Sequence, residues 1–187
     1  RERWPNLKLY LREETSQAAC DGFQRGQLDC VLLAMPFACG EVDRELLFED
    51  RLFLAFPKGQ APDEGWVDPD AIDEERLLLL EDGHCLKDQA LSACNRPELR
   101  AEAAMMGTSL HTLVQMVDNG LGVTFVPEMA IRAGILGGTA VEARELRSQH
   151  GFRRIALIWR RSSPREEEFQ LLAETLRQIA EAAARAD

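Results

Sequence analysis

The chain has 187 residues and a hydrophobic content of 45%, enough for one large domain or two small lobes with real cores. Its formal charge of -10, from 32 acidic and 22 basic residues with no Lys/Arg cluster, argues against direct contact with nucleic-acid phosphates. The longest apolar runs, VLLAMPFA (31–38) and LLLL (77–80), are far shorter than the roughly 18–20 residues a membrane helix needs, so no membrane partner is expected.

The chain opens on RERWPNLKLYL, with no initiator Met and no signal-like apolar region, and reads as an excised fragment. LKLYLRE (7–13) alternates like a strand. TSQAACDGFQRGQ follows as a helix capped by Thr15 or Ser16, with Gly22 or Gly26 as stop signals. LDCVLLAM (28–35) is a continuous apolar run of the kind found in parallel, doubly covered sheets, so the three segments read as a βαβ unit. ELLFEDRLFLAFPKGQ (45–60) reads as two short strands, and APDEGWVDPD as a polar loop.

DAIDEERLLLLEDGHC predicts a short helix, a strand at LLLL and a turn at Asp82-Gly83. CLKDQALSAC favours helix, ended by Asn95-Arg96-Pro97. TSLHTLVQMVDNG (108–120) is a second capped helix, started by Thr108 or Ser109 and stopped at Asn119-Gly120, with Leu110, Leu113, Val114 and Val117 on one face. LGVTFVPEMAIRAG gives a strand and then a helix beginning at Pro127. FRRIALIWR (152–160) is a strand. The stretch 164–186 is a long amphipathic helix whose buried side carries Phe169, Leu172, Leu176 and Ile179. This alternation predicts an α/β fold of two lobes, each a helix-covered, Rossmann-like sheet, with a cleft between them.

The five cysteines are odd in number and spaced unlike a secreted disulfide scaffold, which predicts a reducing, cytoplasmic setting. Cys20, Cys30 and Cys39 read as inert buried residues. Cys85 and Cys94 are different. If both lie on one helix, nine positions put them about 900° apart in rotation and about 13.5 Å apart along the axis. A disulfide needs Cα atoms roughly 4.4–6.8 Å apart, so helix and bond exclude each other and oxidation must unwind the segment. Cys85 also follows a glycine turn and opens its helix, where free N–H groups and the macrodipole stabilise a thiolate. His84 precedes it, and Lys87 and Asp88 lie within the next turn. A zinc site is disfavoured, since ligand pairs are usually two to four residues apart; no metal and no cofactor is expected.

LLLLEDGHCLKDQALSAC followed by TSLHTLVQMVDNGLGVTFVPEMAI resembles the regulatory domain of the LysR-type peroxide sensors of the OxyR group. GQLDCVLLA and FRRIALIWR are similar to their counterparts there. The resemblance implies a two-lobed, periplasmic-binding-protein-like effector domain, with residues 1–48 and 157–187 in lobe I and 49–156 in lobe II. It implies that Cys85 is the peroxidatic cysteine and Cys94 the resolving one. Thr15, His84, Asp88 and either Arg153 or Arg154 match pocket residues of the family, and Thr108 and Ser109 match its cleft-facing helix start.

The same resemblance implies hydrogen peroxide as the effector, a homodimer or tetramer through regulatory domains, and a thiol reductant such as a glutaredoxin or thioredoxin. DNA contact is expected only through an N-terminal winged helix-turn-helix that these residues do not include. Plainer roles stand beside these: Thr15 as a cap, His84 as a loop histidine, Asp88 as a solvated helix charge, His111 and His150 as surface residues. A LysR-type domain binding a small metabolite without redox chemistry, and a thiol peroxidase, are the rival readings; the expectation is a sensor and not an enzyme.

Overall fold

The computed structural model describes residues 4–94 and 106–185. In chain order the elements are α1 (Ser16–Gln24), β1 (Cys30–Met35), β2 (Val42–Phe56), β3 (Trp66–Val67), β4 (Leu77–Leu80), α2 (Cys85–Ala93), β5 (Met106–Gly107), α3 (Leu110–Asp118), β6 (Val123–Pro127), α4 (Glu128–Arg132), β7 (Glu142–Leu146), β8 (Phe152–Arg160) and α5 (Glu166–Arg185). Two 3-10 turns, at 69–71 and 74–76, precede β4. The main sheet runs β1-β8-β2-β6-β4-β5, with β7 joining β2 to β3.

The longest strand is the first departure from expectation. Residues 45–56 do not form two strands but belong to one, the 15-residue β2. Its first part pairs antiparallel with β8, from Val42↔Arg160 to Arg51↔Phe152. Its last part lies between β6 and β7. The side-chain pattern changes where the neighbours change. Among residues 45–51, which include an irregularity at Leu46/Phe48, only Leu47 and Asp50 are buried, whereas Leu52, Leu54, Ala55 and Phe56 are all buried. The pattern break marks a change of packing environment, not a chain reversal.

A second departure concerns strand direction. β1 pairs antiparallel with β8, so the expected parallel βαβ unit does not form from residues 7–35. Its apolar run is not doubly covered throughout, because Leu32 is 51% exposed. Residues 7–13 form no strand, and Tyr10 and Leu11 are almost wholly exposed; a strand needs a neighbour for its backbone groups, and none among the described residues supplies one. β3 and β7 went unforeseen, being two residues long and weakly alternating respectively. Parallel pairing is found at β4–β6, β4–β5 and β3–β7.

Alternation along β8 builds two cores on the two faces of one sheet. Ile155, Leu157 and Trp159 pack with Ala34, Leu47, Phe169 and Ala173 under α5. Ile158 packs with Val31, Leu33, Cys20 and Phe23 under α1. Leu172 and Leu176 pack in the core under α5, but Ile179 is 60% exposed, contrary to expectation. The surface covered by the helix ends at Leu176, and its last turns project into solvent. The largest core gathers β4, α2, α3 and β6, with Leu78, Leu91, Cys94, Leu113 and Phe125 at its centre.

Local capping follows the sequence closely. Thr15 caps α1, its Oγ1 accepting from Ala18 N at 3.3 Å. Ser109, the later of the two candidates, caps α3 and accepts from Thr112 N at 3.2 Å. Asn119 ends α3 before Gly120 at φ 77°. The expected stop at 95–97 lies outside the described residues.

Cys20 and Cys39 are not two independent core thiols but a disulfide, with Cα atoms 5.1 Å apart and 1% and 3% exposed. The pairing was not legible because 19 residues of helix end, strand and turn intervene, and only the fold of α1 onto β1 closes them. Linking a loop of that length restricts the unfolded chain by about 3 kcal/mol. Cys20→Ser is therefore expected to lower unfolding free energy by about 2–4 kcal/mol in non-reducing urea titrations. The gap between variant and parent should close when dithiothreitol is added, and a gap that persists unchanged would show that the bond contributes nothing.

Candidate functional site

A cleft of about 370 Å³ opens where the two halves of the molecule meet. Its walls come from elements distant in sequence: Glu14 and Ser16 at the start of α1, His84 and Cys85 at the β4–α2 junction, Leu110 opening α3, Met129 on α4, and Arg153 on β8. The starts of several helices and Arg153 thus meet in one concave space.

Cys85 is placed there by a sharp turn. β4 ends at Leu80, and Gly83 takes φ 93°, a left-handed conformation that side chains resist. A methyl group at Gly83 would lie 3.7 Å from the Cβ and Oγ1 of Thr15, and Gln17 N–H donates to Gly83 O at 3.5 Å. The start of α1 is therefore docked on the turn that presents Cys85. Lys87 fastens the turn from the other side: its Nζ, on a side chain only 8% exposed, donates to Asp82 Oδ1 at 2.5 Å. That hydrogen bond, and the charge behind it, hold the Asp82 carboxyl below the usual carboxylate range.

Cys85 is the first residue of α2, and the N-cap residue His84 makes no side-chain cap bond. The first-turn N–H groups are thus not closed by a cap, which suits an anion at this end of the helix. Cys94 stands at the opposite end as the C-cap residue, 4% exposed. Cys85 and Cys94 are not bonded to each other. They also belong to different cores. Cys85 packs against the cluster of Ala34, Leu47 and Ile155, and Cys94 lies inside the cluster of Leu78, Leu91 and Phe125. Joining them means unwinding α2 and withdrawing at least one sulfur from its core.

The remaining candidates divide. His84 and Arg153 line the cleft together with Cys85, and Leu110, just after Ser109, does too. Thr15 stands between two lining residues and spends its hydroxyl on the α1 cap. Asp88 is exposed on α2 and is not in the wall. Thr108 and Ser109 are exposed, with Ser109 engaged on Thr112. Strand alternation separates the two arginines: the Arg153 side chain is 10% exposed, whereas that of Arg154 is 57% exposed and reaches Glu49 at 3.4 Å.

Sequence reasoning missed Asp50. It is 2% exposed, directly opposite Arg153 in the β2–β8 ladder, and accepts from Arg153 Nε at 3.0 Å and Nη2 at 2.7 Å. A separation of 103 residues leaves no local signal for such a pair. Among the described residues no group of three or more His, Cys, Asp or Glu side chains is arranged to hold a metal ion, and no helix is long and apolar enough to cross a membrane.

Residues 1–181 match the LysR substrate binding domain family. This chain belongs to that family. As a LysR substrate-binding domain it is a regulatory domain, not an enzyme. It is 35% identical over 176 residues to the HTH-type transcriptional regulator EstR of Acinetobacter baylyi, covering 94% of this chain and 58% of the relative. It is 36% identical over 180 residues to a probable hydrogen peroxide-inducible genes activator of Streptomyces viridosporus, covering 95% and 57%. The chain therefore spans less than two thirds of the curated relatives it matches. Among solved structures, the reduced form of the regulatory domain of OxyR2 from Vibrio vulnificus is 36% identical with a TM-score of 0.85, covering 95% of this chain and 84% of that one.

Cys30, the remaining thiol, is distinguished from Cys85 by its surroundings. Burial and the neighbouring Asp29 carboxylate push its pKa up, against a weaker opposing pull from Arg165. Since the thiolate is the nucleophile, Cys30 in the folded protein is expected to be alkylated by iodoacetamide at pH 7 more slowly than Cys30 in the urea-unfolded chain. Peptide mass spectrometry over a time course reads this directly, and equal labelling rates would contradict it.

Proposed function

We propose that this domain senses hydrogen peroxide through Cys85 and reports it by forming a Cys85–Cys94 disulfide. The observation that carries the reading is the placement of Cys85 at the uncapped start of a wound helix, on the wall of a cleft, with Cys94 nine positions away at the other end. The thiolate attacks one peroxide oxygen and the O–O bond breaks. Sulfur gains a hydroxyl as sulfenic acid, and hydroxide leaves to be protonated to water. The Cys94 thiol then displaces that hydroxyl as a second water and closes the disulfide. A dithiol reductant of the glutaredoxin or thioredoxin class reverses the change.

In this reading Arg153 and His84 supply positive or hydrogen-bonding groups at the reacting sulfur, Thr15 helps shape the approach, and Asp88, Thr108 and Ser109 border it. The domain divides into a lobe of residues 1–48 and 157–187 and a lobe of residues 49–156, and α2 unwinds within the second. In the parent protein, in the cytoplasm, the refolded segment changes how protomers pack in a dimer or tetramer. That change reaches promoters through a separate DNA-binding domain.

A second reading is favoured by two observations: the similarity to EstR, and a cleft far roomier than one peroxide molecule requires. There a small metabolite fills the cleft and the thiols are spectators. A stoichiometric peroxide pulse separates the two. Under our reading the parent consumes about one equivalent per reduction cycle, mass mapping finds a Cys85–Cys94 bond, and amides 85–94 lose hydrogen-exchange protection. Cys85→Ser should abolish all three responses. Cys94→Ser should still form sulfenic acid but keep α2 protected. Peroxide consumption without selective Cys85 oxidation would favour the metabolite reading.

A further inference from the structure

We propose that Asp50 is a positioning residue for the peroxide chemistry, acting through Arg153; this rests on the peroxide reading above. Asp50 is not part of the cleft wall, yet both of its carboxylate oxygens end on residues that are. Oδ2 receives Nε and Nη2 of Arg153 at 3.0 and 2.7 Å. Oδ1 receives the backbone N–H of Met129 at 2.9 Å. Arg153 Nη2 also lies 3.5 Å from Met129 Sδ. One buried carboxylate thereby locks β2, β8 and the first turn of α4 together at the rim of the cleft.

The arrangement is more than a means of stability. A buried ion pair roughly breaks even against a well-packed apolar replacement, so the pair's value lies in where it holds the guanidinium. An arginine side chain carries large rotamer freedom. Asp50 removes it by taking two of the three guanidinium nitrogens, and Nη1 is the one that no hydrogen bond to a described residue uses. Cys85 and Arg153 reach the same cleft from α2 and β8. A cation held in one orientation before the reaction can stabilise the negative charge that builds on the departing peroxide oxygen without reorganising at that moment. Deleting the Asp50 charge leaves the arginine present but free to swing.

The test isolates the first chemical step in a Cys94→Ser background of the full chain, following sulfenic acid at Cys85 by dimedone trapping and mass spectrometry. Asp50→Asn, near-isosteric and still able to accept from Met129 N–H, should slow the second-order rate with hydrogen peroxide by about 10–100-fold. Asp50→Glu should recover most of that loss. The readout a merely structural role would not move is a double-variant cycle: in an Arg153→Gln background, Asp50→Asn should cause no further slowing.

Arg153→Lys, which keeps the charge but loses the fork that Asp50 grips, should be slowed as much as Asp50→Asn. It carries the test if Asp50→Asn fails to fold. Rates within about twofold of the parent for a folded Asp50→Asn, or for Arg153→Lys, overturn the inference, as do independent, multiplying effects in the cycle. An absence of Cys85 sulfenic acid in the unsubstituted domain overturns the peroxide reading itself and this inference with it. Parent-like reactivity in Asp50→Asn sinks the inference alone.

Discussion

One helical segment cannot keep its turns and let its two ends touch. Wound, α2 spans Cys85–Ala93 and keeps its terminal sulfurs at opposite ends, in two separate apolar clusters. The rest of the domain can be understood as holding that segment in a state which covalent chemistry could end. The helix is short, and short helices owe their stability to packing rather than to propensity. What keeps α2 wound is the burial of Leu86, Ala90, Leu91 and Ala93 against the β4–β6 core. Exposing those side chains and withdrawing Cys94 from the same core is accordingly the cost of unwinding the segment.

Two long strands provide the frame on which this happens. β2 and β8 run side by side from the α1–α5 half of the molecule toward the β4–β6 half, so neither half can shift without straining a shared ladder. The cleft lies beside that ladder, and its only described wall residue from β8 is Arg153. The Asp50–Arg153 pair sits near the end of the ladder, one step before Arg51↔Phe152. At the opposite wall, Gly83 and the start of α1 meet through Gln17 and Thr15. The Cys20–Cys39 bond ties the same α1 to the segment after β1. Cys85 thus stands where elements of both halves meet.

Family membership narrows the function without choosing the effector. The relatives include a regulator named for peroxide-inducible genes and another that is not, at nearly equal identity. What favours peroxide is chemical and local. A cysteine at a helix start in a cleft that an arginine also lines, with a second cysteine one helix-length away, has a use in thiol oxidation and none in holding a metabolite by shape alone.

By itself the sequence determined what depends on neighbours along the chain. Gly83, a cap at Thr15 or Ser16 and another at Thr108 or Ser109, the bounds of β8 and the helix from Cys85 all follow from turn chemistry, capping and periodicity, which act within a few residues. The spacing of Cys85 and Cys94 also settled in advance that their helix and their bond are alternatives. Only the tertiary structure decided what depends on residues brought together from afar. It made β1 antiparallel to β8, left residues 7–13 without a strand partner among the described residues, joined Cys20 to Cys39, and chose Arg153 over Arg154 for the cleft. It also set Asp50 beneath that arginine. Strand pairing and buried charge pairing are selected by the burial of whole faces, and the free energy of burying a face belongs to the assembled core rather than to any one segment.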